Sequence, residues 1–486
     1  MSQEIKKLVP ESLWTNFCDL NAVPRPSKKE ERVINFMLDF ASKLKLEAIK
    51  DEVGNIVIKK PATPDMLNNE TVVLQSHLDM VHQKNNATSF DFDSQGIEMY
   101  IDGDWVKANG TTLGADNGIG VATIMAILAS DDISHPNIEA LFTIDEETGM
   151  TGAKNLKPDF LKGSILLNLD TEEDDEICIG CAGGIDVTAE RSYKQVVTDD
   201  TKVGYKITVK GLEGGHSGID IHKGLGNANK IMNRLFIDAY EHFGLQISSI
   251  VGGSLRNAIP RESLAIVTID KIHINVFELE TNILINAIKA EQLAVDPNLE
   301  ITLELIETPK YVMDLGVQEG IVKSIQTAYN GVFRMSPDID GLVEASNNIA
   351  KVSIGNGEVK IECLTRSSVE SSRAHVANSL RCAFELSGCD VAFEGDYPGW
   401  KPNSNSVILK IVKDSYSNLN GTDASVVACH AGLECGIIGE HFPHMDMVSF
   451  GPTITGAHSP DERVSISSVQ KYWKLVKEVL SQIPLK

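Results

Sequence analysis

Hydrophobic positions in the first forty residues recur with a helical period. Two amphipathic stretches flank Val-Pro-Arg-Pro at 23–26, and Val33, Ile34, Met37 and Leu38 share one face of the second. Ser27 and Glu30 have the spacing of a capping box, which predicts where that helix begins. The pattern then shortens to runs with the texture of buried strands: EAIKDEVGNIVIKK, TVVLQS, IEALFTI and SILLNL. Between the second and third of these, Ile119, Ala122, Ile124, Met125, Ile127 and Leu128 follow Asn117-Gly118 with helical spacing. Strands alternating with helices predict an α/β fold, a sheet covered by helices.

The texture changes near residue 187. YKITVKG, GNANKIMNRLF, QISSIVGG and SLAIVTI read as strand, helix, strand, strand, which is an α+β order. A comparable order recurs loosely in AKVSIG, EVKIECLT and AHVANSLRCAFEL. After Asp396-Tyr-Pro-Gly-Trp400 the helix-rich α/β texture returns and ends in a helix over roughly 467–480. A chain of 486 residues exceeds one ordinary core, so at least two domains are expected.

Charge removes whole classes of partner. With 44 basic and 68 acidic residues the net charge is -24, which repels phosphate backbones and anionic lipid, so neither nucleic acid nor a membrane is an expected partner. The stretch MSQEIKKLVPESLW has no long apolar core before a small-residue cleavage site, and eight cysteines in this length do not make a disulfide framework. A cytoplasmic location is the expectation. Cys178 and Cys181 have CxxC spacing without a second such pair, and are read as packed small residues.

Candidate chemistry lies where the strand-like runs end. His77 follows VVLQS, Glu146 and Glu147 follow LFTID, and Asp170 follows ILLNL; Asp116 and His458 stand in the Gly-rich loops TTLGADNGIG and GPTITGAHSPDE. In open α/β sheets, loops beyond the carboxyl ends of the strands converge on one crevice. Taken singly, Asp116 reads equally well as a helix cap, and the glutamate pair as an acidic surface loop. Together, two imidazoles and three carboxylates are the donor set of a two-zinc site with one bridging acid and a coordination position left for water. Zinc suits the set best, with manganese or cobalt as substitutes. In an extended segment His77 and Asp79 face the same side, which lets Asp79 accept from the ring nitrogen that does not bind metal. Of the adjacent Glu146 and Glu147, one is placed to ligate and the other to take a proton from water.

The stretches SHLDMV, GTTLGADNGIG, DEETGMTGA, LLNLDTEE, HAGLECG and GAHSPDE, in this order and spacing, resemble the co-catalytic zinc metallopeptidases that include carnosinases, acylamino-acid hydrolases and glutamate carboxypeptidases. The resemblance spans essentially the whole chain. It implies His77 and Asp170 on one zinc, Glu147 and His458 on the other, Asp116 bridging, Glu146 as general base and acid, and Asp79 orienting His77. It also implies a catalytic domain interrupted by a lid: 1–186, then a lid over 187–397, then 398–486. His216 in EGGHSG is then the residue that stabilises the oxyanion, often across a homodimer, and Asn257 and Arg366 contact the substrate. A guanidinium suits a peptide carboxylate because it binds bidentately.

The expected activity is hydrolysis of unblocked dipeptides, preferentially Xaa-His or carnosine-like, by a hydroxide held between two zinc ions. Two rivals remain at this stage. One is another amidohydrolase of the same family: a deacylase, carboxypeptidase or tripeptidase. The other is a non-catalytic peptide-binding protein with structural metal, disfavoured because structural zinc sites are usually closed and often rich in cysteine.

Overall fold

The structure is a computed structural model that describes residues 2–85, 87–337 and 339–486. Two compact units make up the chain, one of residues 1–180, 402–428 and 433–486 and the other of 181–401 and 429–432. Both are mixed assemblies of sheets and helices.

The first unit is built on an eight-stranded sheet. Its middle strands, Ile138–Thr143, Val72–His77, Ile165–Asn168 and Asp446–Ser449, are neighbours in that order and parallel. Every residue of Val72–His77 and Ile138–Thr143 is buried, as expected for strands covered on both faces. The helix Ala115–Ala129, nearly all apolar and buried around its circumference, packs on the His77 strand. The C-terminal helix Ile466–Ser481 buries Val469, Tyr472, Val476 and Val479 on one face. Because neighbouring parallel strands run the same way, their carboxyl ends open along one edge and deliver the loops that follow to one place.

The two expected N-terminal helices are Glu11–Asn21 and Glu31–Lys43, but no capping box starts the second. Ser27 Oγ donates instead to the Asp79 carboxylate at 2.8 Å, and the Glu30 carboxylate accepts from the amides of Lys28 at 2.7 Å and Asp145 at 3.2 Å. Tertiary partners outcompete the local cap. Cys178 and Cys181 are buried thiols within the sheet strand Glu176–Cys181 and its end. No helix among the described residues is long and apolar enough to cross a membrane.

The second unit holds a nine-stranded antiparallel sheet. The helices Ala228–His242, Ile274–Gln292, Leu315–Thr327 and Glu370–Glu385 supply Phe236, Phe277, Ile321 and Phe384 to its core. Its strands Lys202–Lys210, Gln246–Gly252 and Ser263–Asp270 fall on the segments whose alternation predicted them.

Candidate active site

His77 is the last residue of its strand, and its Nε2 faces Asp116 Oδ1 at 3.1 Å and Asp170 Oδ1 at 3.6 Å. The other oxygen of the same aspartate, Asp116 Oδ2, lies 3.2 Å from His458 Nε2, which in turn lies 2.9 Å from Glu147 Oε2. One carboxylate thus stands between two imidazoles, each with a further acid beside it. His77–Asp116–Asp170 and Asp116–Glu147–His458 each bring their ligand atoms within 4.8 Å of one another, as does His77–Glu146–Glu147.

Local backbone aims these side chains. Asp116 lies two residues after Gly114 at φ 69° and is itself at φ -80°, ψ 112°, outside helical geometry; its two carboxylate oxygens meet His77 and His458, and no side chain caps the helix start. His458 sits at φ 63°, a left-handed conformation rare outside glycine and found at constrained sites.

Asp79 has more partners than strand alternation predicts. The strand stops at His77 and the chain bends at Leu78, so the approach is made by a turn: His77 Nδ1 lies 3.2 Å from the Asp79 carbonyl oxygen and 3.4 Å from Oδ1. The same carboxylate accepts the amides of Glu146 at 3.0 Å and Glu147 at 3.3 Å. Asp79 therefore positions the glutamate pair as well as the imidazole.

The electrostatics of the cluster call for a cation. Glu147 Oε1 and Asp170 Oδ1 are buried and accept no hydrogen bond, an arrangement that costs free energy unless a positive charge meets them. Burial works against a charged His77, yet Asp170, Asp116 and Asp79 outweigh it and hold the imidazole above its ordinary range. Hydrogen bonds to Asp116 and Glu147 push His458 up to about 11. Burial, reinforced by Glu434 and Glu147, raises Glu146, and burial likewise raises Asp170. The residues fit a metal pair: oxygen and imidazole donors, two unsatisfied buried oxygens, and one carboxylate with an oxygen toward each histidine.

Three supporting residues escaped the sequence reading. Arg25 of Val-Pro-Arg-Pro and Glu462 of GAHSPDE are buried beside the Asp116 loop. Glu434 of HAGLECG accepts from Gln75 Nε2 at 2.7 Å and Thr143 Oγ1 at 2.6 Å, tying the ends of two parallel strands under the site. The only signal was membership of these motifs, since a charged residue reads as solvated until its partners are known.

The second unit brings His216 and Arg366 to one glycine, Gly218, and ties Asn257 to the neighbouring Ser217. His216 pairs with Ala258 across two short strands, and the Asn257 carbonyl accepts from Ser217 N at 2.8 Å. A Cβ on Gly218 would lie 2.1 Å from the His430 carbonyl oxygen, 3.1 Å from His216 Cε1 and 3.2 Å from Arg366 Cδ, so only glycine allows this approach. Arg366 is buried, donates to Tyr397 Oη at 2.6 Å and leaves its Nε without a partner. His430 is buried beside them with Nε2 2.8 Å from Ser346 Oγ.

Burial first, then the charge of Arg366, pushes His216 down to about 4 and His430 down to about 3. An unfolded histidine protonates near its ordinary 6.5 and folded His430 only near 3, so the stability present above pH 6.5 is lost progressively as pH falls from 6.5 toward 3. The variant His430→Gln is expected to show a shallower fall of Tm between pH 6.5 and 4 than the unsubstituted chain. Identical slopes would mean that His430 protonates in place.

Residues 73–482 match the family described as Peptidase family M20/M25/M40. The chain is similar to the cytosol non-specific dipeptidase of Escherichia coli K12, 42% identical over 99% of this chain and 100% of that one. Its fold is that of the crystal structure of aminoacylhistidine dipeptidase from Vibrio alginolyticus, with a TM-score of 0.94, 42% identity and full coverage of both chains. An aminopeptidase from Bacillus cereus shares the fold at a TM-score of 0.58 and 17% identity, covering 98% of this chain and 99% of that one.

Proposed function

Since the chain belongs to peptidase family M20/M25/M40 and is a metal-dependent hydrolase of peptide bonds, we propose that it is a dinuclear zinc dipeptidase of the cytoplasm, preferring Xaa-His and carnosine-like substrates. The observation that carries the metal count is the Asp116 carboxylate, whose two oxygens address two different histidines. His77 and Asp170 hold one ion and Glu147 and His458 the other, with Asp116 shared. Manganese or cobalt are substitutes for the same oxygen and nitrogen donors. When bound, such a pair lowers the pKa of water toward neutrality and polarises the scissile carbonyl.

The chain's own groups do the rest. Glu146 takes a proton from the attacking water on its carboxylate and returns it to the leaving nitrogen; the raised affinity of this half-buried acid for a proton supports the role. Asp79 holds His77 and the amides of the glutamate pair in place. His216 donates to the developing oxyanion. That role is supported by its Nδ1, which accepts the amides of Gly218 at 3.2 Å and Ile219 at 3.1 Å; with the ring neutral, the proton resides on Nε2 and is free to be donated. Asn257 and Arg366 contact the substrate, and the unpartnered buried Nε of Arg366 suits a peptide carboxylate. The second unit is read as the lid.

A homodimer is part of the reading. Val276, Leu279 and Ile283 are exposed at helical spacing along Ile274–Gln292, and the edge strand Glu300–Ile306 exposes Leu305 at 61%. An open strand edge beside an apolar stripe suits self-pairing across a two-fold axis. Light scattering on Leu279→Asp against the unsubstituted chain checks it: a dimer that persists unchanged would place the interface elsewhere.

The substrate test is a panel run on metal-stripped protein reloaded with zinc, manganese or cobalt. Unblocked dipeptides are expected to be cleaved, Xaa-His and carnosine fastest, with N-acetyl amino acids and tripeptides at least about 10-fold slower, a discrimination one unmatched polar or terminal group supplies. Faster cleavage of either comparison class would make the protein a deacylase or tripeptidase on the same scaffold.

A further inference from the structure

The backbone at 113–116, which carries Asp116, is gripped from two sides by buried groups of opposite charge. Glu462, 3% exposed, accepts four consecutive amides: Leu113 at 2.7 Å and Gly114 at 3.0 Å on Oε2, Ala115 at 2.7 Å and Asp116 at 3.3 Å on Oε1. Arg25, 1% exposed, donates to the Gly114 carbonyl at 2.5 Å and to Asn21 Oδ1 at 3.1 Å through one nitrogen. Its other terminal nitrogen donates to the carbonyls of Leu78 at 3.0 Å and Asp79 at 2.9 Å.

These contacts join three segments that carry the candidate ligands. Arg25 links the turn after His77 to the Asp116 loop, and Glu462 links that loop to the segment of His458, four residues before it. Space for the guanidinium is built in: a Cβ on Gly114 or Gly118 would lie 2.6 or 2.7 Å from Arg25 Nη2. Two buried charges are costly unless they are hydrogen-bonded; four amides meet Glu462, and three carbonyls and Asn21 meet the terminal nitrogens of Arg25, whose Nε alone has no partner.

We propose that Arg25 and Glu462 are positioning residues: through the peptide groups of 113–116 they hold the Asp116 carboxylate between His77 and His458 before any cation arrives. This rests on Asp116 being the shared ligand. A cap that merely stabilised the following helix would need neither the arginine on the opposite side nor its reach to Leu78 and Asp79. A preset carboxylate lowers the reorganisation that metal binding would otherwise demand.

The experiment uses the full chain, stripped with a chelator and titrated with zinc alone. In the unsubstituted stripped protein, hydrogen exchange at the amides of 113–116 is expected to stay slow; exchange that becomes slow only on adding zinc would overturn the proposal. Glu462→Gln, which turns an N–H toward amides that need an acceptor, is expected to weaken zinc binding by roughly 10- to 100-fold and to lower kcat with KM little changed. Arg25→Lys, which keeps the charge, is expected to lose less than Arg25→Met. Lower Tm in these variants with zinc affinity and kcat per bound zinc unaltered would mean a purely structural role. Asp116→Ala separates the two readings: if it keeps its zinc and turnover, the metal assignment fails, whereas if it loses zinc and Glu462→Gln does not, only the positioning role fails. Should Glu462→Gln not fold, the exchange measurement on the unsubstituted chain and Arg25→Lys decide.

Discussion

Glu146→Ala is expected to lower kcat by roughly 10²- to 10⁴-fold, the span of general acid–base assistance, while metal content measured on the purified protein stays as it was. The neighbouring Glu147→Ala is expected to lose metal as well as turnover. Both amides hang on the Asp79 carboxylate, but the side chains meet different surroundings. Glu147 places Oε2 2.9 Å from His458 Nε2, and its Oε1 is buried without a partner, as a ligand oxygen would be. Glu146 is half-buried, and desolvation, reinforced by Glu434 and Glu147, raises its proton affinity, as a proton carrier requires. Because Glu146, Glu147 and His77 also lie within metal-binding reach of one another, the pair of variants is a real discrimination. Equal metal loss in both would contradict the division of roles.

Removing the metal should have the other large effect. Chelation is expected to abolish hydrolysis and lower the Tm, with both restored by zinc. The stripped site leaves Asp170 Oδ1 and Glu147 Oε1 unsatisfied, while His77 and His458 must take up protons that a bound metal would displace. A ligand present at about 1,000 times its Kd stabilises the folded state by about 4 kcal/mol, enough for a Tm shift of several degrees in scanning calorimetry. Turnover that persists in protein shown by elemental analysis to hold no metal would remove the basis of the mechanism.

The strands and helices of the first unit were largely legible because their periodicity is strong. IEALFTI and SILLNL are short, mostly apolar runs, and the segment after Asn117-Gly118 is a helix buried all round. Local rules failed where a side chain had a better distant partner. Ser27 leaves its cap for Asp79, and Asp116 leaves the helix end for two histidines. Asp79 was assigned one partner and has several, since two of its donors are amides that lie 67 and 68 residues along the chain.

The sequence alone determined the inventory: a covered α/β sheet, a strongly negative net charge, and a set of imidazoles and carboxylates at strand ends whose donor chemistry suits a metal pair. Such properties follow from residue type and periodicity, which survive in one dimension. Only the tertiary structure decided which atoms meet. It turned one Asp116 oxygen toward each histidine and buried Arg25 and Glu462 on either side of that loop. It also brought Arg366 and His430 to the glycine beside His216. The reason is physical: whether a charged side chain is solvated or buried depends on groups hundreds of residues away, and no local pattern records that distance.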